Sequence, residues 1–570
     1  MSSIQLSCSA APFIGQKGRK LFCPIHIQTS GGSGFPPGAL CFVRVTFVSS
    51  SKSVFTVQDI TGLWNLVSPT VVESASPFNP VGLGSEFIAY ASFFDPTSLS
   101  ASDSYNATYR VEITDDTPQR NVIAFQNVPL QGTANPVQPA TVVFALDHGH
   151  SMGNPVTPTM TRLGQLQAAF PLALSMLRSS DTFGVVAFGN MNCPPDPQLP
   201  LDVASDTQIT NAINLAVALQ VDESFPTSKP IQVGIDAARR MSPTGTLVLL
   251  TDGENNNTPG HKLTKPLPGT PTSALILTQE PQANYNILVS TNGEYALASS
   301  PLGTFAAEKL LAQILVGIAS GAVISDPEGS LEPGEKRSFP LQITEADREL
   351  EVIVLSNDAD AIEVHLEDLR APTPPPCSEP NAYKVDPPPD KPEVVRSKRF
   401  VITRLVVPAL PEKERPFSPK VVISRSPEAS RSGALVHFSF IAAAKSDLKL
   451  DAEVTRSGTS VGSELLFSAV LSEYGQSLHS SNARVRVELF HPDGFSQSIE
   501  LQPTPHARGR FQASIRSFRP GAYTAHFIAT GQSLLHERPF RRELVRTVAV
   551  SEASDCCEPA PACQCMLSRN

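Results

Sequence analysis

The pattern of apolar and polar positions changes character twice along the chain. From residue 20 to about 130 it alternates: CFVRVTFVS, FTVQDI, EFIAYASFF, TYRVEITD and NVIAFQNVPL are short runs broken by GGSGFPPG, SPFNPVG and TDDTPQR. Alternation bounded by turn residues predicts half-buried strands, and this many of them predicts a β-sandwich over 1–135. After the linker GTANPVQPA the grammar differs. TVVFALD, DTFGVVAFG and GTLVLLTDG are apolar throughout, and a helix is predicted after the first by the spacing of Leu163, Leu166, Phe170, Leu174 and Leu177. Further helices are predicted in SDTQITNAINLAVALQ, PIQVGIDAARRM and GTFAAEKLLAQILVGIAS, with strands in SALILTQ and NYNILVS. Strands that are apolar on both faces, alternating with amphipathic helices, predict a parallel sheet covered on both sides, a doubly wound Rossmann-like module over 140–325.

Past Ala322 the helical spacing stops and alternation returns, in KRSFPLQI, LEVIVLS and AIEVHLEDL and later in KRFVITRLVVPAL, PKVVISR and GALVHFSFIAAA. These predict a second β-sandwich over 326–447, interrupted by a Pro-rich insertion at 371–393. The runs from LKLDAEVTR to LVRTVAVS predict a last sandwich over 448–551. Residues 552–570 have no apolar period and are expected to be a disordered, Cys-rich tail. The expected fold class is therefore multidomain, α/β plus all-β.

Composition narrows the function. With 52 Pro, 34 Gly and 17% charged residues in 570, proline is nearly double its usual share, which excludes an all-helical protein. The net charge of -10 gives no electrostatic reason to expect nucleic acid or an anionic membrane as partner. No 18-residue apolar stretch occurs, and MSSIQLSCSAAPFIGQKGRK lacks a basic segment followed by an apolar run. The expectation is a chain with no transmembrane segment and no export signal, cytoplasmic, or else extracellular by a non-classical route. Cys8, Cys23, Cys41, Cys193 and Cys377 have no metal-ligand spacing and are expected to be free thiols; the tail adds Cys556, Cys557, Cys563 and Cys565. No His-Glu-x-x-His string occurs, and the run Arg538, Arg541, Arg542 and Arg546 is expected on the solvated face of a strand pair.

In an open α/β sheet, ligands bind beyond the carboxyl ends of the strands, and both TVVFALD and TLVLLTDG end in an acid. Four features occur in order: ALDHGHSM after the first strand, PIQVGI at a helix start, LVLLTDGENN at a strand end, and NILVSTNGEYALAS ahead of the last helix. Over 140–325 the chain on these features resembles the von Willebrand factor type A family. The resemblance implies a site in which a first-loop Asp-x-Ser-x-Ser, a Thr and a third-loop Asp hold a divalent cation, Mg²⁺ suiting such oxygen donors. Carried over by position, it implies Asp147, Ser151 and Asp252 as metal ligands. Gly149 stands where the first Ser would be, and Lys229 stands at the Thr position of Lys229-Pro230-Ile231. An ammonium cannot ligate a cation but can neutralise two acids, so one reading is a degenerate, metal-free site in which Lys229 replaces the ion. The rival alignment uses Thr227, restores a ligand, and leaves Mg²⁺ or another divalent cation as cofactor; on the first reading no cofactor is expected.

Gly149-His150-Ser151-Met152-Gly153 is also a nucleophile-elbow string, and Ser151, Asp252 and His261 could be assembled into a hydrolase triad. Pro155 and Pro158 argue against it, because they deny the immediate helix that an elbow needs. His148 and His150 lack further zinc ligands nearby and are expected to be solvated or locally hydrogen-bonded. From GAVISDPEGS at Gly321 the chain is similar to the β modules of the calcium-activated chloride channel regulator family, and the last segment over 448–551, with FHPDG and RPGAYTAHFIATG, to its terminal Ig- or fibronectin-like module; that family's metalloprotease motif is absent here. The reading that follows is a non-enzymatic interaction or scaffold protein. It would hold a protein partner through loops bearing Asp147, Gly149, Ser151, Thr227, Lys229 and Asp252. A serine hydrolase using Ser151 and a structural subunit of a homo-oligomer or larger assembly are the alternatives.

Overall fold

The computed structural model describes the chain except residues 1–2, 18, 37, 61–62, 69, 82–83, 96–101, 136–138, 190–197, 222–230, 254–271, 278–293, 298–304, 320, 368–391, 408–418, 426–434, 459, 479–480, 506–508 and 551–570; at 294–297 it describes the backbone alone. The Pro-rich insertion, apart from its last two residues, and the Cys-rich tail thus lie outside the described residues. So do Thr227, Lys229, His261, Cys193 and Cys377.

The N-terminal residues form two sheets, one of four strands and one of six, the latter built on Cys41–Ser50, Asp103–Asp115 and Val122–Asn135. Ile25, Val43, Tyr109 and Leu130, from both sheets, share one core, as alternation with one face inward requires. Cys23 and Cys41 are free and buried in it, while Cys8 is half-buried and free. Burial pushes the Cys23 thiol up to about 12, so it packs as a small apolar group.

The central module has strands β1 (Thr141–Asp147), β2 (Thr182–Phe188), β3 (Gln198–Val203), β4 (Thr246–Thr251), β5 (Thr272–Ile276) and β6 (Glu294–Leu297). Their order in the sheet is β3-β2-β1-β4-β5-β6; every pair is parallel except β2 with β3. Helices α1 (Arg162–Met176), α2 (Asp206–Ala218), α3 (Ile231–Met241) and α4 (Ala306–Ile318) cover it. Residues of α1, α2 and α4 pack on the face carrying Val142, Phe144 and Leu146, and residues of α3 on the face carrying Val143 and Ala145. That two-sided cover is why β1 has no polar residue before Asp147 except its first.

From Gly321 on, the described residues are almost all β, with one 3₁₀ turn at Ala359–Ala361. Here β7 (Gly321–Ser325), β8 (Asp347–Ser356), β9 (Val436–Ser446), β10 (Leu448–Arg456), β11 (Glu464–Glu473), β12 (Gly521–Gln532) and β13 (Pro539–Val550) belong to one hydrogen-bonded sheet of fourteen strands. The sheet is continuous because β7 pairs with β9 on one side and touches β13 at Val323↔Glu543 on the other. Two cores hang on it, one around Val352, Ile423 and Phe440 and one around Phe467, Val487 and Phe527. The described residues from Gly321 on thus carry two separate cores on one shared sheet. Within the second, the Tyr523 hydroxyl accepts from the amides of Phe518 (3.2 Å) and Arg519 (3.0 Å) and donates to the Arg519 carbonyl (2.9 Å), the arrangement of a tyrosine corner.

The modules also press on one another. Phe22 of the N-terminal module meets Tyr474 edge to face with centroids 5.1 Å apart, and Gln476 Nε2 donates to the Phe22 carbonyl at 2.9 Å. Ile353, Phe400 and Ile441 join the same core as α1 and α4, so the α/β module is packed onto the β sheet. One expectation is overturned at this scale. Arg542 is fully buried, donating to Asp347 Oδ1 at 2.7 Å and to Ser446 Oγ at 3.2 Å, and is no part of a solvated face. Among the described residues no helix is long and apolar enough to cross a membrane.

Candidate functional site at the strand ends

The parallel register sets Leu146 beside Leu250, so Asp147 and the Thr251-Asp252 pair leave the sheet together at the carboxyl ends of β1 and β4. Both acids are buried, at 0% and 1% exposure. Each is satisfied from within the fold. Asp147 Oδ2 accepts from Thr251 Oγ1 at 2.6 Å, and Asp147 Oδ1 accepts from the Gly149 amide at 2.9 Å. Thr251 Oγ1 accepts in turn from the Gly253 amide at 3.1 Å. Asp252 Oδ2 takes two donors, the Ser151 hydroxyl and Arg162 Nη1, the latter at 3.1 Å. Of the residues expected from sequence, the structure brings together Asp147, Gly149, Ser151 and Asp252; Thr227 and Lys229 lie outside the described residues.

Arg162 was not among the expected residues. It is the first residue of α1, capped by Thr161, whose hydroxyl accepts from the Gly164 amide at 3.1 Å, and it is 5% exposed. A cation in the first turn of a helix faces the positive end of the helix dipole and is unfavourable there without an anion opposite. That misplacement in Met160-Thr161-Arg162-Leu163, with no acid in the first turn, is the signal the sequence held. The guanidinium places a permanent positive charge on the same carboxylate oxygen that Ser151 reaches.

The loop between β1 and α1 has a definite form. His150–Gly153 makes one 3₁₀ turn, and Pro155–Thr157 then pairs with Met160–Thr161 as a small hairpin before α1 starts. An elbow needs its helix to begin at the nucleophile, so the hairpin set off by Pro155 and Pro158 removes that geometry. Among the described residues the Ser151 hydroxyl faces a carboxylate, Asp252, and donates to it. His148 Nδ1 bonds the Gln220 carbonyl at 3.1 Å, and His150 is exposed. On the other side of β1, α3 lies close against β2. A Cβ on Gly234 would fall 2.4 Å from Phe188 Cδ1, and Phe188 is the register partner of Asp147. Gly234 therefore lets the helix approach the strand end, bringing the start of α3 to the site.

No family model matches the sequence, and no curated protein matches it. Solved structures similar to the chain include a von Willebrand factor type A protein from Catenulispora acidiphila, 11% identical, covering 64% of this chain and 67% of that one at a TM-score of 0.25. The ArnB paralog VWA2 from Sulfolobus acidocaldarius is 6% identical over 80% of this chain and 73% of its own, with a TM-score of 0.21. The manganese-loaded TRAP protein of Plasmodium vivax is 12% identical over 36% of this chain and 88% of its own, with a TM-score of 0.23.

Proposed function

We propose that this protein is a non-enzymatic interaction protein that holds a protein partner through the strand-end loops of its type A-like module, and that it does so without a metal ion. The observation that carries the reading is the pairing of Asp252 with Arg162 and Ser151, beside Asp147 held by Thr251 and Gly149. A divalent cation bound by Asp147, Ser151 and Asp252 would sit against a guanidinium and take Ser151 away from Asp252, which makes metal binding unfavourable. On this reading Arg162 supplies charge that a cation supplies elsewhere, and Lys229, outside the described residues and two positions before Ile231 in the sequence, would add to it. The doubly wound module and its Ig-like neighbours then act as a rigid mount for the loops, an arrangement of the kind found in the calcium-activated chloride channel regulator family.

The test leaves the buried acids alone and uses the exposed loop. Full-length protein and a His150→Glu/Asn154→Arg variant are crosslinked in lysate, with and without EDTA, and the attached proteins identified. The expected result is a partner captured equally in EDTA and lost from the variant. A partner retained by the variant would move the contact surface to the β modules, as a structural assembly subunit requires, and one lost in EDTA and recovered with Mg²⁺ but not with Zn²⁺ would restore a metal at the strand ends.

A further inference from the structure

A second cluster lies some distance along the chain from the strand-end site, where α4, β7, β12 and β13 meet. Asp326, just past β7, His526 on β12 and Glu543 on β13 each place a ligand atom within 4.8 Å of the other two. The strand pairing explains why. Glu543 is opposite Ile528 and His526 opposite Val545, so His526 and Glu543 are diagonal neighbours on one face, and the β7 contact at Val323↔Glu543 brings Asp326 over them. His526 Nε2 and Glu543 Oε2 are 2.8 Å apart. His526 and Glu543 are buried, at 8% and 4% exposure.

Two cations and an amide from neighbouring positions pair with the carboxylates of the cluster. Arg541 Nε donates to Glu543 Oε1, the oxygen turned away from His526. Gln313 Nε2 donates to Asp326 Oδ2 at 3.1 Å, and Lys309 Nζ lies 3.4 Å from that same oxygen, donates to the Asp326 carbonyl at 2.6 Å and lies 3.3 Å from Glu328 Oε1. Lys309 and Gln313 are four apart on α4, one turn of the same face. Such hydrogen bonds orient carboxylates in the way that partners of metal ligands do. A cavity of about 230 Å³ lined by Gln313, Gly321 and Glu543, though by neither Asp326 nor His526, lies beside the cluster.

We propose that Asp326, His526 and Glu543 form a binding site for one divalent transition-metal ion of the Zn²⁺ class. One imidazole and two carboxylates on strands and a strand end are a donor set for such an ion, with a further position left for water on the cavity side. The ion would join the end of the α/β module to the last two strands of the β sheet. This site is independent of the metal-free reading of the strand ends, and the two can fail separately.

The experiment uses full-length protein with Cys556, Cys557, Cys563 and Cys565 changed to Ser, so that the tail thiols do not compete. After stripping with EDTA and dialysis, ZnCl₂ is titrated calorimetrically and CoCl₂ is followed by visible absorption, with thermal unfolding recorded in each state. Expected are one equivalent of Zn²⁺ at low-micromolar affinity or tighter, cobalt bands of a nitrogen- and oxygen-bound ion, and a higher Tm with metal. Asp326→Asn, the most exposed ligand, and His526→Gln should each weaken binding at least tenfold while melting normally in EDTA. No metal uptake by the parent protein, or uptake unchanged in Asp326→Asn, would overturn the site and leave the cluster a proton-linked network; uptake lost in Asp147→Asn but not in Asp326→Asn would place the ion at the strand ends.

Discussion

At the scale of the residue, the central fact is a guanidinium held against a buried carboxylate. Arg162 and Asp252 have side-chain exposures of 6% and 0%, so water screens their pair little. Removing one member of a buried pair leaves a desolvated charge, a loss of about 3–5 kcal/mol. Arg162→Met should therefore lower the stability of the central module by that order, read by urea unfolding. The Arg162→Met/Asp252→Asn double variant should lose less than the sum of the single losses, because the charges vanish together. Additive losses would mean that the two side chains do not interact. The acids were legible from sequence because apolar strands ending in Asp mark the carboxyl edge of a parallel sheet. Arg162 was not, because the hairpin of Pro155–Thr157 with Met160–Thr161 decides where α1 begins and so which side chain its first turn offers.

At the scale of the element, α3 shows how packing overrides propensity. Alanine favours a helix by up to about 1 kcal/mol over glycine, which would recommend Gly234→Ala. The added Cβ would fall 2.4 Å from the Phe188 ring, and overpacking of that kind costs about 1–3 kcal/mol. Gly234→Ala is thus expected to destabilise, with Phe188→Leu in the same chain recovering part of the loss, as thermal unfolding would read. Phe188 is beside Asp147 in the sheet, so the same variant should also weaken capture of the partner. The four helices among the described residues were all legible as runs, and the face that each buries was not, since two-sided cover makes β1 and β4 apolar on both faces.

At the scale of the whole molecule, the modules meet at a buried set of charges. Glu473, at the end of β11, is fully buried; its Oε2 accepts from the Leu534 amide at 2.7 Å. Burial pushes its carboxyl up to about 8, helped by Glu345 and Asp347 and opposed by the Leu534 amide and Arg542. The folded state therefore holds this proton more tightly than the unfolded chain, whose ordinary value is 4.5. The stability it contributes is fully present below about pH 4.5 and is lost as pH rises through about 8, at up to about 1.4 kcal/mol per pH unit in that window. Glu473→Gln should flatten that slope and melt higher than the parent at pH 8–9, measured by calorimetry. An unchanged slope would show that the carboxyl is already ionised at neutral pH. Glu345, which accepts from Ser533 Oγ at 2.7 Å, and Arg542, bonded to Asp347, tie the same place to both C-terminal cores.

By itself the sequence determined the kinds of element and their order, because periodicity records whether one face or two are buried and proline records where neither helix nor central strand continues. It also determined that acids stand at the ends of two neighbouring parallel strands. The tertiary structure decided the rest. Which cation meets Asp252, which arginine of the last strand is buried, and that β7 joins two cores into one sheet all depend on contacts between residues far apart in the chain. A local period carries no record of such contacts, since Arg162 and Asp252, or Asp326 and Glu543, become neighbours only when the sheets that carry them have packed.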